Sequence, residues 1–236
     1  MHVHQLRLPP SIHFGKPTLL PEIKLLLVSH RKLAAILFLS LLASRAVATD
    51  FPFEYVDSVI ARVGEHAKRY PPHFDSEEQK AEMVKSLKEV LGALDKAPNK
   101  VHGDKEILFR YAFLNSMGHN LDIPGCGNKA IEGYLRLLEF DPNDKRANYN
   151  FGSFLVGTKH IAKSIPFLQK AIDLGEKEAH YSLAFAYLSE KRNDEALAEL
   201  KKYLEFDPQN ETARRLVSKI EGGQAAFEFQ FIKSQP

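Results

Sequence analysis

One phrase of this chain is written twice and echoed a third time. Residues 130–143 read AIEGYLRLLEFDPN, residues 196–209 read ALAELKKYLEFDPQ, and a weaker copy runs from Ser164 to Leu174. The copies begin 34 and then 32 residues apart. A period of that size marks stacked helical pairs, since one pair cannot bury its apolar face alone and its neighbours complete the core. Units of this kind act mostly by binding other chains.

Within each period, small and large residues recur at set places. Ala130, Ser164 and Ala196 open the second helix, and Tyr134, Leu168 and Leu200 follow four places on. Ala171 lies later in the middle copy. The first helix is expected to carry a large–small pair: Met117-Gly118, Phe151-Gly152 and Leu183-Ala184. Small residues let two helices approach closely while large neighbours fill the space beside them. Pro142 and Pro208, each after an Asp, end a pair because the residue before proline avoids the helical region. Asp144 and Asn210 are then placed to cap the next helix. The middle copy has Gly175-Glu176 in place of Asp-Pro, and Pro166 early in its helix forfeits at most about one backbone bond.

This pattern, from about Tyr111 to Asn210, resembles the tetratricopeptide repeat family. The resemblance implies an all-α fold: a right-handed solenoid of helical hairpins with about three repeats, near 111–144, 145–176 and 177–210. The flanks extend it. Val56, Val59, Ile60, Val63 and Ala67 recur at helical spacing, Ser76 to Gln79 reads as a capping box, and Val84 to Leu94 forms a second apolar stripe. Ala97-Pro98-Asn99 is expected to close that helix, and Asp104 to cap a third. Residues 49–104 are thus an N-terminal helical region, and 105–221 the repeat region with a capping helix from Glu211 to Glu221. Residues 222–236 form a tail in which Phe227, Phe229 and Phe231 alternate with polar residues, a period of two. Two readings of the tail stay open: a segment folded back on the solenoid, or a docking strand for a partner or a second copy.

Residues 1–48 are different in kind. His30-Arg31-Lys32, an apolar run from Leu33 to Leu42, and Ala46-Val47-Ala48 together read as a signal peptide cleaved after Ala48. The apolar run falls short of the ~20 residues a spanning helix needs, although an uncleaved anchor is the alternative. The natural start is expected near Val28, with 1–27 upstream of it; a bipartite organelle leader competes. The leader holds six Lys or Arg and one acid, which leaves 26 basic against 29 acidic residues in the body. That mildly acidic balance argues against a nucleic-acid surface. The single cysteine, Cys126, allows no internal disulfide. It is an inert loop thiol or an intermolecular one.

No phosphate loop, metal-binding histidine pair or nucleophile elbow is present in the sequence, so neither an enzyme, a cofactor nor a metal is expected. By place in the repeat, the resemblance implies a concave surface lined by Asn115 and His119, then Tyr149, Asn150 and Ser153, then Tyr181, Ser182, Phe185 and Leu188. Rings with amides and hydroxyls suit an extended peptide. The expected function is a non-catalytic adaptor or assembly factor in the bacterial periplasm that binds a protein or peptide, with membrane association only if the signal is uncleaved. The alternative is a homo-oligomer built through the Phe-rich tail. N-terminal sequencing of protein recovered from native envelope should begin at Thr49, and a peptide from residues 1–27 in that protein overturns the start near Val28.

Overall fold

Capping chemistry sets where the helices begin. Asp104 accepts hydrogen bonds from the backbone of Glu106 and Ile107 at 2.7 and 3.1 Å. Asp144 accepts from Ala147 at 2.9 Å, and Asn210 from Ala213 at 3.0 Å. Each satisfies amides that the first helical turn leaves without a partner. The computed structural model describes residues 52–68 and 70–223. The chain divides into two compact units, 1–47 and 48–236, and all described residues lie in the second.

Among the described residues the helices are α1 (Phe53–Ala67), α2 (Glu77–Asp95), α3 (Pro98–Gly103), α4 (Lys105–Asn120), α5 (Cys126–Phe140), α6 (Lys145–Gly157), α7 (Ile161–Asp173), α8 (Ala179–Ser189), α9 (Asn193–Phe206) and α10 (Glu211–Glu221). Three hairpins form: α4 with α5, α6 with α7, and α8 with α9. They stack through α5 on α6 and α7 on α8, and the first helices also meet, α4 with α6 and α6 with α8. At one end α1 and α2 pack on α4; at the other α10 packs on α9. This is an all-α solenoid of helical hairpins.

Close approach within the hairpins rests on small residues. A methyl group added at Gly152 would lie 2.7 Å from Leu168 Cγ and 3.2 Å from the Leu168 backbone nitrogen. One added at Gly133 would lie 2.9 Å from Ala112 Cβ. Around these contacts the rings stack: Tyr134 on Phe151 at 5.4 Å and Phe151 against Phe167 at 4.7 Å. Ala112, Ala130, Tyr134, Phe151, Phe154 and Leu155 make one buried cluster joining the first two hairpins. A second runs from Leu168 through Ala184, Ala196 and Leu200 to Leu216 of α10. Ala130, Ser164, Ala171, Ala184 and Ala196 are fully buried, as close helix packing requires, whereas Pro142 and Pro208 stand exposed at the turns.

Three features depart from the sequence reading or refine it. The segment after α2 is not a bare closing loop, because Pro98 opens the short helix α3 from its first position, where a missing N–H costs nothing. Pro166 is accommodated inside α7. The box at Ser76 is offset by one: Ser76 Oγ accepts from Gln79 N, while Gln79 Oε1 accepts from the amide of Asp75. The leader, Ala48 and the tail phenylalanines Phe227, Phe229 and Phe231 lie outside the described residues.

Gly152→Ala should destabilise the fold by about 1–3 kcal/mol in urea unfolding, since the added carbon meets backbone that cannot rotate away. Gly157→Ala, where nothing lies within 4 Å, is the control and should cost nothing.

Candidate functional site

The caps fix the register of the first helices. Asp104 and Asp144 stand 40 residues apart, six more than the ideal repeat. Counting from the caps, the eighth helical residue is Ala112 in α4 and Gly152 in α6. Both make the tight contact with their hairpin partner. The extra residues lie at the far end of α4 and in the loop before α5.

This corrects the sequence reading of the first unit. Met117-Gly118 is not its large–small pair; Tyr111-Ala112 is. Gly118 still packs closely, but against Cys126 at the start of α5, where an added Cβ would lie 2.7 Å from the sulfur. Asn115 falls on the hairpin side and is fully buried, its Nδ2 donating to the carbonyl of Tyr111 at 2.9 Å. It cannot line an open surface. His119 is exposed in the last turn of α4, edge-on to Phe154 at 5.4 Å and beside Gly127. Leu188 is a further correction: it belongs to the buried cluster of the C-terminal hairpin and is 3% exposed.

In the corrected register the face of α4 is carried by Glu106, Phe109, Arg110 and Phe113, which the repeat pattern had not identified. Here charge is locked into forks. Arg146 of α6 reaches both oxygens of Glu106 at 2.6 and 3.0 Å, bonds Asp144 at 3.2 Å, and lies over the Phe109 ring at 4.5 Å. One helix back the device recurs. Arg110 grips Asp57 of α1 at 2.7 and 3.0 Å, bonds Glu106 at 3.2 Å and lies over Phe53 at 4.5 Å. The planar guanidinium suits both the two-point pairing and the stacking. The hydrogen bond from Arg146 holds the Glu106 carboxyl below its ordinary range. The Asp57 pairing raises Arg110.

Beyond α6 the chemistry changes from charge to hydroxyls, an amide and rings. Ser153 and Ser182 meet oxygen to oxygen at 2.9 Å across α6 and α8. Asn150 donates to the carbonyl of Arg146 at 2.8 Å. Tyr181 packs on Phe185 at 4.8 Å and on Tyr203 of α9 at 4.9 Å. Tyr149, Asn150, Ser153, Tyr181, Ser182 and Phe185 are all partly exposed. The structure therefore brings six of the nine expected surface residues together on α6 and α8.

Elsewhere the polar groups serve the fold. His180 of α8 and Lys202 both pair with Glu199 of α9. Asp95 of α2 accepts from Tyr111 at 2.9 Å and pairs with Lys129 at 2.7 Å, which ties the N-terminal helices to the first hairpin. Burial pushes the Cys126 thiol up, so it stays protonated and inert near neutrality. Among the described residues no cluster of three His, Cys, Asp or Glu could hold a metal ion, and no helix is long and apolar enough to cross a membrane.

Because the folded Glu106 carboxyl titrates below its unfolded value, its pairing stabilises the protein above the ordinary carboxylate range and is lost as pH falls through the folded value. Arg146→Ala should therefore cost about 1 kcal/mol at neutral pH. The difference from wild type should shrink as urea unfolding is repeated at pH values falling below the ordinary carboxylate range. Arg146→Lys, which keeps charge but loses the fork and the ring contact, should recover only part of it.

Comparison with known proteins agrees with this architecture. Residues 159–220 match the family model described as tetratricopeptide repeat. A crystal structure of MamA is similar over 64% of this chain and 86% of its own, at 21% identity and a TM-score of 0.53. MamA from Desulfovibrio magneticus RS-1 is similar over 76% and 89%, at 17% identity and a TM-score of 0.51. The sequence has no match among curated proteins. At such identities the likeness speaks for the fold alone. Residues 159–220 thus match the tetratricopeptide repeat, and helical hairpins of the same kind extend back to Asp104.

Proposed function

We propose that this protein is a non-catalytic interaction module that captures an extended polypeptide on the first-helix face of α6 and α8. One observation carries the reading: Tyr149, Asn150, Ser153, Tyr181, Ser182 and Phe185 converge there, partly exposed, while the neighbouring face of α4 has its charges paired internally. Rings offer contact area at low entropic cost, and the amide and hydroxyls can pair with the backbone of an extended segment. The paired Arg110 and Arg146 favour a partner of little net charge, because an acidic ligand would have to displace bidentate carboxylates. The tetratricopeptide-repeat match over residues 159–220 supports the same class of function.

We further propose that the protein is exported and works as an adaptor or assembly factor in the bacterial periplasm. The basic patch, apolar run and Ala46-Val47-Ala48 of the leader support this.

The test is affinity capture from native envelope with mass spectrometry, using wild type beside Asn150→Arg and Phe185→Ala. Asn150→Arg places a charged stem on the face without emptying the core. A partner retained by wild type, lost by both variants and not explained by a fall in melting temperature is the expected outcome. Equal capture by all three proteins overturns the assignment of this face.

A further inference from the structure

The first helices carry a ring at one repeated place. Phe109, Tyr149 and Tyr181 each stand three residues before the small residue of their helix, which is Ala112, Gly152 and Ala184. One helical turn on, the same places hold Phe113, Ser153 and Phe185. All six are partly exposed. They make two rows across α4, α6 and α8. Ser153, small between two rings, leaves a gap in the second row.

Charge is kept off these rows. Lys105, Lys145 and Lys177 each precede the ring by four places. Lys105 pairs with Asp141 at 3.5 Å, Lys145 pairs with Glu176 at 3.6 Å, and Lys177 lies 5.6 Å from the Phe206 ring, each at the closing end of its own hairpin. Arg110 and Arg146 are held by Asp57 and Glu106. Ser153 and Ser182 bond each other at 2.9 Å, so one of their two hydroxyl protons is left to donate.

Spacing selects the conformation that fits. Packed helices stand about 8–10 Å apart. A polyproline II segment presents the same edge every third residue, and at about 3.1 Å per residue that edge returns after about 9.3 Å. A β-strand returns to the same side after two residues, about 6.8 Å, and its third residue points away. The threefold segment alone of these two sets like side chains against successive first helices.

We propose that the partner segment is a proline-rich polyproline II stretch of little net charge, with an apolar side chain at every third residue, laid across α4, α6 and α8 between the two rows. This rests on the partner face proposed above and extends it one hairpin back, to Phe109 and Phe113. Proline carries no N–H, so such a segment brings backbone acceptors, which suit the spare hydroxyl proton. It is extended before binding and loses little entropy against an aromatic lining.

Calorimetric titration of the full chain with a capped (Pro-Pro-Leu)4 peptide tests this, beside a permuted peptide of the same composition with its leucines at alternate positions. The regular peptide should bind at least about tenfold more tightly than the permuted one. Tyr149→Phe should bind it as wild type does, Tyr149→Leu about tenfold more weakly, and Ser153→Phe, which fills the gap, not at all, each compared at an unchanged melting temperature. Equal affinity for both peptides, or full binding by Tyr149→Leu and Ser153→Phe, overturns the proposal. So does failure of (Pro-Pro-Leu)4 to bind wild type. In that case a (Thr-Val)6 peptide bound by wild type and lost by Asn150→Arg leaves the partner face standing with a β-type ligand, whereas no binding of either peptide and no captured partner removes both readings.

Discussion

Two helices can lie closer than their side chains normally allow only where one of them contributes almost no side chain. Gly152 against Leu168, and Gly133 against Ala112, meet that condition in successive hairpins. Much of the fold depends on this approach. It makes room for rings to bridge between hairpins, as Tyr134, Phe151 and Phe167 do. It leaves the second helix of each pair to carry the outer wall, so that the first helices can stand side by side. Without that spacing the rings would clash or lose their contacts, because a close-packed interior forfeits attraction across even small gaps.

Side by side, the first helices form one face with two chemistries. From α1 through α4 to the start of α6, guanidinium groups are held by carboxylates below and rings above. Such exposed or half-exposed pairs contribute little stability singly, but their geometry fixes how successive helices sit in register. From Asn150 onward the face carries neutral donors and acceptors among rings. The boundary between the two halves runs through α6 itself, one helical turn apart, at Arg146 and Asn150. A ligand drawn to the neutral half meets paired charge at its edge, which favours binding by shape and hydrogen bonding over charge attraction.

Much of the fold was legible in the recurring phrase. The second helices form around Ala130, Ser164 and Ala196 but begin three to four residues earlier, at Cys126, Ile161 and Asn193, and the caps at Asp104, Asp144 and Asn210 form as the sequence suggests. The face was legible only in part. Counting back from Ala130 assumes an ideal unit, but Ala112 and Ala130 of the first unit stand six residues further apart than Gly152 and Ser164 of the second. A shift of six turns a helix through about 240°, enough to move Asn115 from the open face to the hairpin interior. The signal that sets the register correctly was in the chain, since both caps are visible and stand 40 residues apart. Leu188 could not have been placed that way, because its burial depends on what packs around the end of the last hairpin.

The amino-acid sequence by itself determined the period, the caps, the small residues and therefore a stack of helical hairpins. These are local matters: 3.6-residue periodicity, amide satisfaction at helix ends and the absence of a side chain where two backbones meet. Only the tertiary structure decided which residues share a face. It joined Glu106 to Arg146 across 40 positions and Arg110 to Asp57 across 53, and it brought Ser153 to Ser182. Such contacts depend on the length of each loop and on the rotation it imposes between hairpins. A repeat period records the average of those lengths, and the contacts depend on each one separately.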